Sequence, residues 1–415
     1  MMNILSDQTV AIDEKVFLMK QDARFDVADD DQALLPDPSQ ICQEIRAGRS
    51  HPTVPKVFLS NDCAFNCSYC GCRSGNMCKR KYVNTPRELA ELAVKQADSS
   101  GHGIFITSAV LKTPDYTQEL IVETLRIIRR ELGYRGYVHA KVMPGVDPEL
   151  IYQSGRYANR LSVNIEVAKS EGYAKIAKNK SRKTILTPMG QISSLIQSAQ
   201  AERKKSRYAP AFASSQTTQL MAGSIQESDR TILTLSSALY EKYKLKRVYY
   251  TSFQYKQPAA GYEGLETVST PLWRMRRLYQ ADRLMHLYGF APGELLTEES
   301  PNLQEKLDPK AAWVLRNLHL YPIEVNTADF EQLLRIPGIG IFYAQRIVKI
   351  RKSCAITHDI LRSLGVPLKR SGPFLTCRGK LQGVFPDSPE MLWQLLADSK
   401  DAAERQLTLP EGYRK

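Results

Sequence analysis

Five of the chain's eight cysteines fall within sixteen residues: Cys63, Cys67, Cys70, Cys72 and Cys78. The first three stand in Asp62-Cys63-Ala64-Phe65-Asn66-Cys67-Ser68-Tyr69-Cys70, a C-x-x-x-C-x-x-C spacing. Thiolates this close on one loop can fold around one inorganic centre, but they supply only three ligands. Zinc takes four, usually as two separated pairs. A [4Fe–4S] cluster has four irons to ligate, so three cysteines leave one iron open. That suits a cluster that binds a substrate better than one that only relays electrons. Eight cysteines in 415 residues are too sparse for a disulfide scaffold.

The surroundings of the loop fit this chemistry. An apolar stretch, Val57-Phe58-Leu59-Ser60, precedes it and reads as a strand. A helix is predicted to begin near Thr85-Pro86-Arg87-Glu88, with Thr85 as cap, Pro86 at the first helical position and Glu88 three residues after the cap. Further strands are predicted at Gly103–Thr107, Tyr137–Val142, Leu161–Glu166, Thr217–Met221 and Arg247–Thr251, with helices at Tyr116–Glu131 and Glu227–Tyr243. Six strands alternating with helices imply parallel βα units, whose sites lie at the C-terminal ends of the strands. On the fourth strand Ser162, Asn164 and Glu166 share one face. The inner face of a closed parallel barrel is normally apolar, so a polar one implies a ligand.

The cysteine loop resembles that of the radical S-adenosylmethionine (SAM) superfamily, whose signature C-x-x-x-C-x-φ-C has an aromatic φ. Tyr69 fills that position. The resemblance implies a partial (β/α)6 barrel of the α/β class with a [4Fe–4S] cluster on Cys63, Cys67 and Cys70. It also implies SAM on the open iron, cleaved by one electron to a 5′-deoxyadenosyl radical that abstracts a hydrogen atom. It assigns Ser162, Asn164 and Glu166 to the SAM ribose and methionine. Many members carry Gly-Gly-Glu after the second strand. This chain has Ser108-Ala109-Val110, and Ser108 is the candidate there. Gly223, in Ala222-Gly223-Ser224, resembles the superfamily's glycine-containing SAM motif, although a plain strand-to-helix turn capped by Ser224 or Ser228 reads nearly as well. Lys141 and Arg182 are candidates for the SAM carboxylate or a substrate phosphate. Cys72 and Cys78 offer a second cluster or a hydrogen-returning thiol, but ordinary thiols beside the loop are the favoured reading.

Near the C-terminus, Asn326 or Thr327 is expected to cap a short helix with Phe330, Leu333 and Leu334 on one face. Pro337-Gly338-Ile339-Gly340 then makes a tight turn. A second helix carries Ala344, Ile347 and Val348 on one side, with Arg346, Lys349 and Arg351 elsewhere. This segment resembles the helix-hairpin-helix motif, in which a Pro-Gly-Ile-Gly hairpin offers backbone N–H groups at a helix N-terminus to a nucleic-acid phosphate without reading bases. Pro337, Gly338, Ile339, Gly340, Arg346 and Lys349 are the candidate nucleic-acid contacts. A second hairpin-like unit, Ile360–Val366, follows.

Charge agrees with that placement. The chain carries 57 Lys/Arg against 44 Asp/Glu, a net +13. Residues 321–380 hold ten Lys/Arg and four Asp/Glu, so this short stretch alone carries +6. Arg274-Met275-Arg276-Arg277 and Arg203-Lys204-Lys205-Ser206-Arg207 read either as solvated faces or as phosphate contacts. Apolar residues make up 43%, which excludes whole-chain disorder. No apolar run approaches a membrane span, and Met1–Phe25 lacks a signal-peptide core. A cytoplasmic protein without membrane partners is expected.

The expected layout is an N-terminal extension over 1–50, the barrel over 51–270, a helical connector over 271–320, a small all-α helix-hairpin-helix domain over 321–380 and a tail over 381–415. Taken together, the cysteines, Leu161–Glu166, Ile185–Gly190, Arg277–Asp282 and the hairpin resemble the DNA modification/repair radical SAM family associated with a uracil-DNA-glycosylase-like protein. The resemblance runs from about Asp22 to Lys380. It implies an enzyme that holds DNA by its backbone and modifies or repairs a nucleotide. The implied partners are DNA or structured RNA, the glycosylase-like protein and a one-electron reductant such as flavodoxin or ferredoxin. Cys72, Cys354 and Cys377 are candidate hydrogen donors. Two alternatives stand beside this reading: an RNA-modifying enzyme, and a non-catalytic DNA-binding iron–sulfur protein.

Overall fold

A computed structural model of the chain describes residues 15, 18, 19, 54–76, 80–100, 103–253, 270–382 and 388–397. Cys42, Cys78, most of Met1–Phe25 and most of the 381–415 tail lie outside these residues. The described residues fall into two compact units. One holds those up to Glu227 together with Ala238–Met275, and the other holds Ser228–Ser237 together with those from Arg276 onward.

In chain order the first unit runs β1 (Lys56–Phe58), α1 (Pro86–Ser100), β2 (Ile104–Thr107), α2 (Pro114–Arg126), β3 (Val138–Lys141), α3 (Pro148–Tyr157), β4 (Arg160–Ser162), α4 (Glu171–Ile176), α5 (Arg182–Lys205), β5 (Ser215–Ala222), α6 (Asp229–Tyr243) from Ala238 onward and β6 (Arg247–Ser252). The strands form one six-stranded sheet in sequential order, every pair parallel. Sequential parallel pairing requires a crossover after each strand, and the helices supply it. β2 is buried at every position, as a strand covered on both faces should be.

The helix start predicted at Thr85 is built as a capping pair. Glu88 accepts the Thr85 backbone N–H at 2.8 Å, and the Thr85 hydroxyl accepts the Glu88 N–H at 3.2 Å. Ser181 and Thr184 make the same reciprocal pair at the start of α5. That helix contains Pro188, which has no N–H to give Thr184. The freed Thr184 carbonyl accepts the Gly145 N–H at 2.7 Å instead, so the proline leaves no orphan acceptor.

Two predicted elements differ in extent. The helix expected to reach Glu131 is α-helical only to Arg126 and widens to a π-turn over Ile127–Glu131. The fourth strand, expected over Leu161–Glu166, ends at Ser162. Beyond it the Thr218 hydroxyl enters the ladder: it accepts the Ile165 N–H at 2.9 Å and donates to the Val163 carbonyl at 2.7 Å. Pairing resumes where the Glu166 N–H meets the Gln219 carbonyl at 3.0 Å. Glu166 itself takes a left-handed backbone, φ +63°.

The second unit contains α7 (Leu272–Tyr288) from Arg276 onward, then α8 (Pro292–Leu295), α9 (Pro309–Arg316), β7 (Ile323–Glu324), α10 (Phe330–Arg335), α11 (Ile341–Ile350), α12 (His358–Ser363), α13 (Leu368–Ser371), β8 (Leu375–Cys377), β9 (Lys380–Leu381) and α14 (Pro389–Leu396). It is largely helical, but β7, β8 and β9 add a small three-stranded sheet where an all-α unit was expected. Among the described residues no helix is long and apolar enough to cross a membrane.

Candidate active site and nucleic-acid interface

The cysteine loop leaves β1 at the C-terminal end of the sheet. Its base is pinned by side chains: Ser60 Oγ donates to the Tyr82 carbonyl at 2.9 Å, and Asn61 bonds the backbone of both Arg80 and Tyr82. Its far side is pinned by backbone. Ala64 N–H meets the Val110 carbonyl at 2.7 Å, and Ser68 N–H meets the Ile176 carbonyl at 2.9 Å. Cys67 is buried, while Cys63 and Cys70 are half-buried. The Phe65 N–H points at Cys63 Sγ and the Cys72 N–H at Cys70 Sγ, each at 3.4 Å. The loop thus already carries the N–H···S bonds that stabilise thiolate ligands. Among the described residues no three His, Cys, Asp or Glu side chains are placed as ligands of one ion. A cluster gives each thiolate its own iron and asks for a wider spacing.

The electrostatics differ across the three thiols. Burial pushes Cys63 up and Cys67 up to about 11. Cys70 is pulled down to about 6, first by its hydrogen bond from the Cys72 thiol. The positive charge of Lys180 lowers all three.

Lys180 was not among the sequence candidates, and it is the central side chain of the site. Its Nζ donates to Glu166 Oε1 at 2.7 Å and to the Tyr69 hydroxyl at 3.2 Å. Burial alone would lower its pKa, but the Glu166 carboxylate and the neighbouring thiols outweigh burial and hold it well above the usual lysine value. The signal that could have found it is positional. Lys180 immediately precedes the Ser181–Thr184 capping pair and enters from the start of α5. Arg182, chosen instead, is exposed on the first turn of α5.

The remaining candidates divide. Ser162 is buried and its Oγ lies 2.9 Å from His139 Nε2, whose ring stacks on Phe105 at 4.2 Å. His139 was also not anticipated. Asn164 is half-buried, and Lys141 is half-buried at the end of β3. Ser108 Oγ is buried after β2 with no hydrogen-bond partner among the described residues. Gly223 has φ +85°, and a Cβ there would stand 2.0 Å from Thr270 Oγ1. The close approach its glycine permits is therefore by Thr270, whose hydroxyl donates to the Ala222 carbonyl at 2.8 Å. Ser228 caps α6 through the Thr231 N–H, as the plain-turn alternative expected. Cys72 is buried beside the loop, whereas Cys354 and Cys377 belong to the second unit, exposed and buried respectively.

In the second unit the hairpin follows its sequence pattern with one correction. The cap of α10 is neither Asn326 nor Thr327 but Asp329, which makes a reciprocal capping box with Gln332. Asn326 is taken up by Glu324 and by Ile356, whose N–H it accepts at 2.7 Å. Gly338 has φ +79°, and a Cβ there would stand 2.8 Å from Pro367 Cγ. Pro367 directly follows the second hairpin-like unit, Ile360–Val366, between α12 and α13. Tyr343 fastens the two units again by donating to the Gly365 carbonyl at 2.8 Å. Gly340 begins α11 without a side-chain cap, and the first-turn amides of a helix have no partner within it. On α11, Ala344 and Ile347 are buried, while Arg346 and Lys349 are exposed; Arg346 stacks over Phe342 at 4.0 Å. Arg351 is structural, donating to the Val325 carbonyl at 3.1 Å. Arg277 is also structural: it is buried and bonded to the Gln304 carbonyl at 3.0 Å, not part of a solvated face.

Residues 57–189 match the radical SAM superfamily, and residues 321–356 match the helix-hairpin-helix motif. The chain carries a radical SAM domain. The cofactors of that domain are a [4Fe–4S] cluster and S-adenosylmethionine. The residues present fit them: three thiols on one loop, two of them with N–H···S bonds in place, a buried cation–anion pair beside them and a buried Ser108 hydroxyl without a partner among the described residues. No curated protein matches the chain. Among solved structures, it is similar to the FeFe-hydrogenase maturase HydG from Carboxydothermus hydrogenoformans, at 16% identity and TM-score 0.42 over 56% of this chain and 51% of that one. It is also similar to methylornithine synthase (PylB), at 15% identity and TM-score 0.41 over 65% and 73%. The chain thus spans about half the length of HydG.

Proposed function

We propose that this radical SAM enzyme acts on nucleic acid, holding DNA through its helix-hairpin-helix module and modifying or repairing a nucleotide. The observation that carries the reading is the presence, in one chain, of the cysteine loop with its Lys180–Glu166 pair and of a glycine hairpin with open helix-terminal amides. When bound, the cluster and SAM supply a hydrogen-abstracting 5′-deoxyadenosyl radical. The chain's own residues do the rest. Cys63, Cys67 and Cys70 are the proposed iron ligands. Glu166 and Lys180 present opposite charges suited to the amino and carboxylate ends of an amino acid. Ser108, Ser162 and Asn164 are the proposed polar contacts. Tyr69 helps fix Lys180, its hydroxyl oxygen accepting a hydrogen bond from the lysine ammonium.

At the hairpin, α11 offers backbone N–H groups to a phosphate, and Arg346 and Lys349 add charge. Contacts of this kind fix position without reading sequence. A duplex base would have to leave the stack to reach a barrel site. A one-electron reductant is required, and a uracil-DNA-glycosylase-like protein is the proposed partner.

The test uses anaerobically reconstituted protein with dithionite and SAM. It should release 5′-deoxyadenosine, and duplex DNA should compete with transfer RNA for binding. Absence of 5′-deoxyadenosine would remove the catalytic reading, and preference for transfer RNA would change the polymer. Mass spectrometry of nucleosides from cells with and without the gene identifies the product.

A further inference from the structure

The helix-hairpin-helix match ends at Ile356 and begins at Tyr321, yet two side chains from outside it close against the turn. Lys310, on α9, is buried, and its Nζ donates to the Ile339 carbonyl at 2.6 Å. Tyr288, at the end of α7, places its hydroxyl 2.9 Å from where a Gly340 Cβ would stand, and its ring lies 5.5 Å from Lys310 Nζ. A buried lysine is rare and normally has a strong reason to be there.

The carbonyl of Ile339 and the N–H of Gly340 are two ends of one peptide group. In a trans peptide they point in opposite directions. The Gly340 N–H has no hydrogen-bond partner among the described residues. A charged donor on the carbonyl polarises the whole peptide and makes its N–H a stronger donor. We propose that Lys310 is the positioning residue of the phosphate-binding hairpin, its ammonium fixing the 339–340 peptide and strengthening the Gly340 N–H that meets a nucleic-acid phosphate. This rests on the reading of the hairpin as a nucleic-acid site.

The groups facing Lys310 make its charge responsive. Burial pulls it down to about 7, Asp308 at the cap of α9 opposes this, and Arg370 on α13 and Arg335 on α10 reinforce it. Arg370 is itself paired with Asp308. An arriving phosphate favours the charged amine, so binding takes up a proton. Affinity then falls as pH rises through the lysine's titration.

The experiment measures binding of the full chain to a short labelled duplex at fixed salt, for wild type, Lys310→Met and Lys310→Arg. Wild-type affinity should fall roughly tenfold from about pH 6 to about pH 9. Lys310→Met should bind about tenfold more weakly than wild type at the acid end and show no such slope. Lys310→Arg should bind as wild type does in acid and stay flat, because its charge does not titrate. Wild type and Lys310→Met agreeing in affinity and slope would overturn the inference and leave the hairpin reading intact. Failure of wild type to bind any duplex would overturn the hairpin reading and the inference with it. If Lys310→Met does not fold, the arginine variant decides: a profile that still falls with pH overturns the inference.

Discussion

Lys180 and Glu166 form an ion pair 2.7 Å apart beside the cysteine loop, with side chains only 13% and 6% exposed. Such a pair is worth little against an apolar replacement, but breaking one side strands a buried charge. Lys180→Met should therefore destabilise the protein by about 3–5 kcal/mol, and Lys180→Met with Glu166→Gln by less than the lysine change alone. Thermal unfolding of the two variants checks this; a double variant less stable than Lys180→Met would refute the pairing.

Cys67→Ala removes the most buried of the three proposed iron ligands. Reconstituted protein should lose iron and the ability to form 5′-deoxyadenosine. Its affinity for duplex DNA should stay within about twofold of wild type, since the loop and the hairpin belong to separate units and independent sites act additively. Iron analysis and a binding titration on the same preparation test both halves.

Gly338 combines φ +79° with the close approach of Pro367. Gly338→Val adds a branched side chain to a left-handed backbone, at a cost of about 1–3 kcal/mol. Binding should weaken similarly for every DNA sequence, because the contact is to the backbone. A panel of unrelated duplexes shows whether sequence preference changes, and a change would contradict backbone-only contact.

Glu324 gathers the backbone N–H groups of Gly379 at 2.8 Å, Arg378 at 3.1 Å and Asn326 at 3.0 Å. Burial would raise its pKa, but these bonds outweigh it and pull the carboxyl down to about 2 from its usual 4.5. A depressed carboxyl stabilises the fold above its unfolded value and loses that contribution as pH falls toward the folded one. Wild type should thus be more stable than Glu324→Gln at neutral pH, with the gap closing in acid. Urea unfolding at a series of pH values measures the gap.

The strands and their parallel order were legible because each carries an apolar run punctuated by a helix signal, and the hairpin was legible because its two glycines sit where backbone geometry needs them. Lys180 was not. It becomes a site residue only when α4 and α5 fold it against Glu166; its place just before the Ser181–Thr184 pair marks a helix start but does not show that Glu166 lies opposite. The interruption of β4 was hidden for a similar reason: Thr218 lies more than fifty residues from the backbone groups it bonds. Period-2 alternation across Ser162, Asn164 and Glu166 reads as continuous strand until that hydroxyl is seen in the ladder. Lys310 escaped because its partner is a carbonyl, which carries no mark in the sequence.

Phe253 and Thr270 are joined by a backbone hydrogen bond of 3.1 Å, and Ser252 Oγ donates to the Thr270 carbonyl at 2.8 Å. Thr270 is also fastened over Gly223, its hydroxyl on the Ala222 carbonyl at the end of β5. One threonine thus ties the ends of two neighbouring strands, β5 and β6, to each other, so that the C-terminal edge of the sheet there moves as one piece rather than as two separate strand ends.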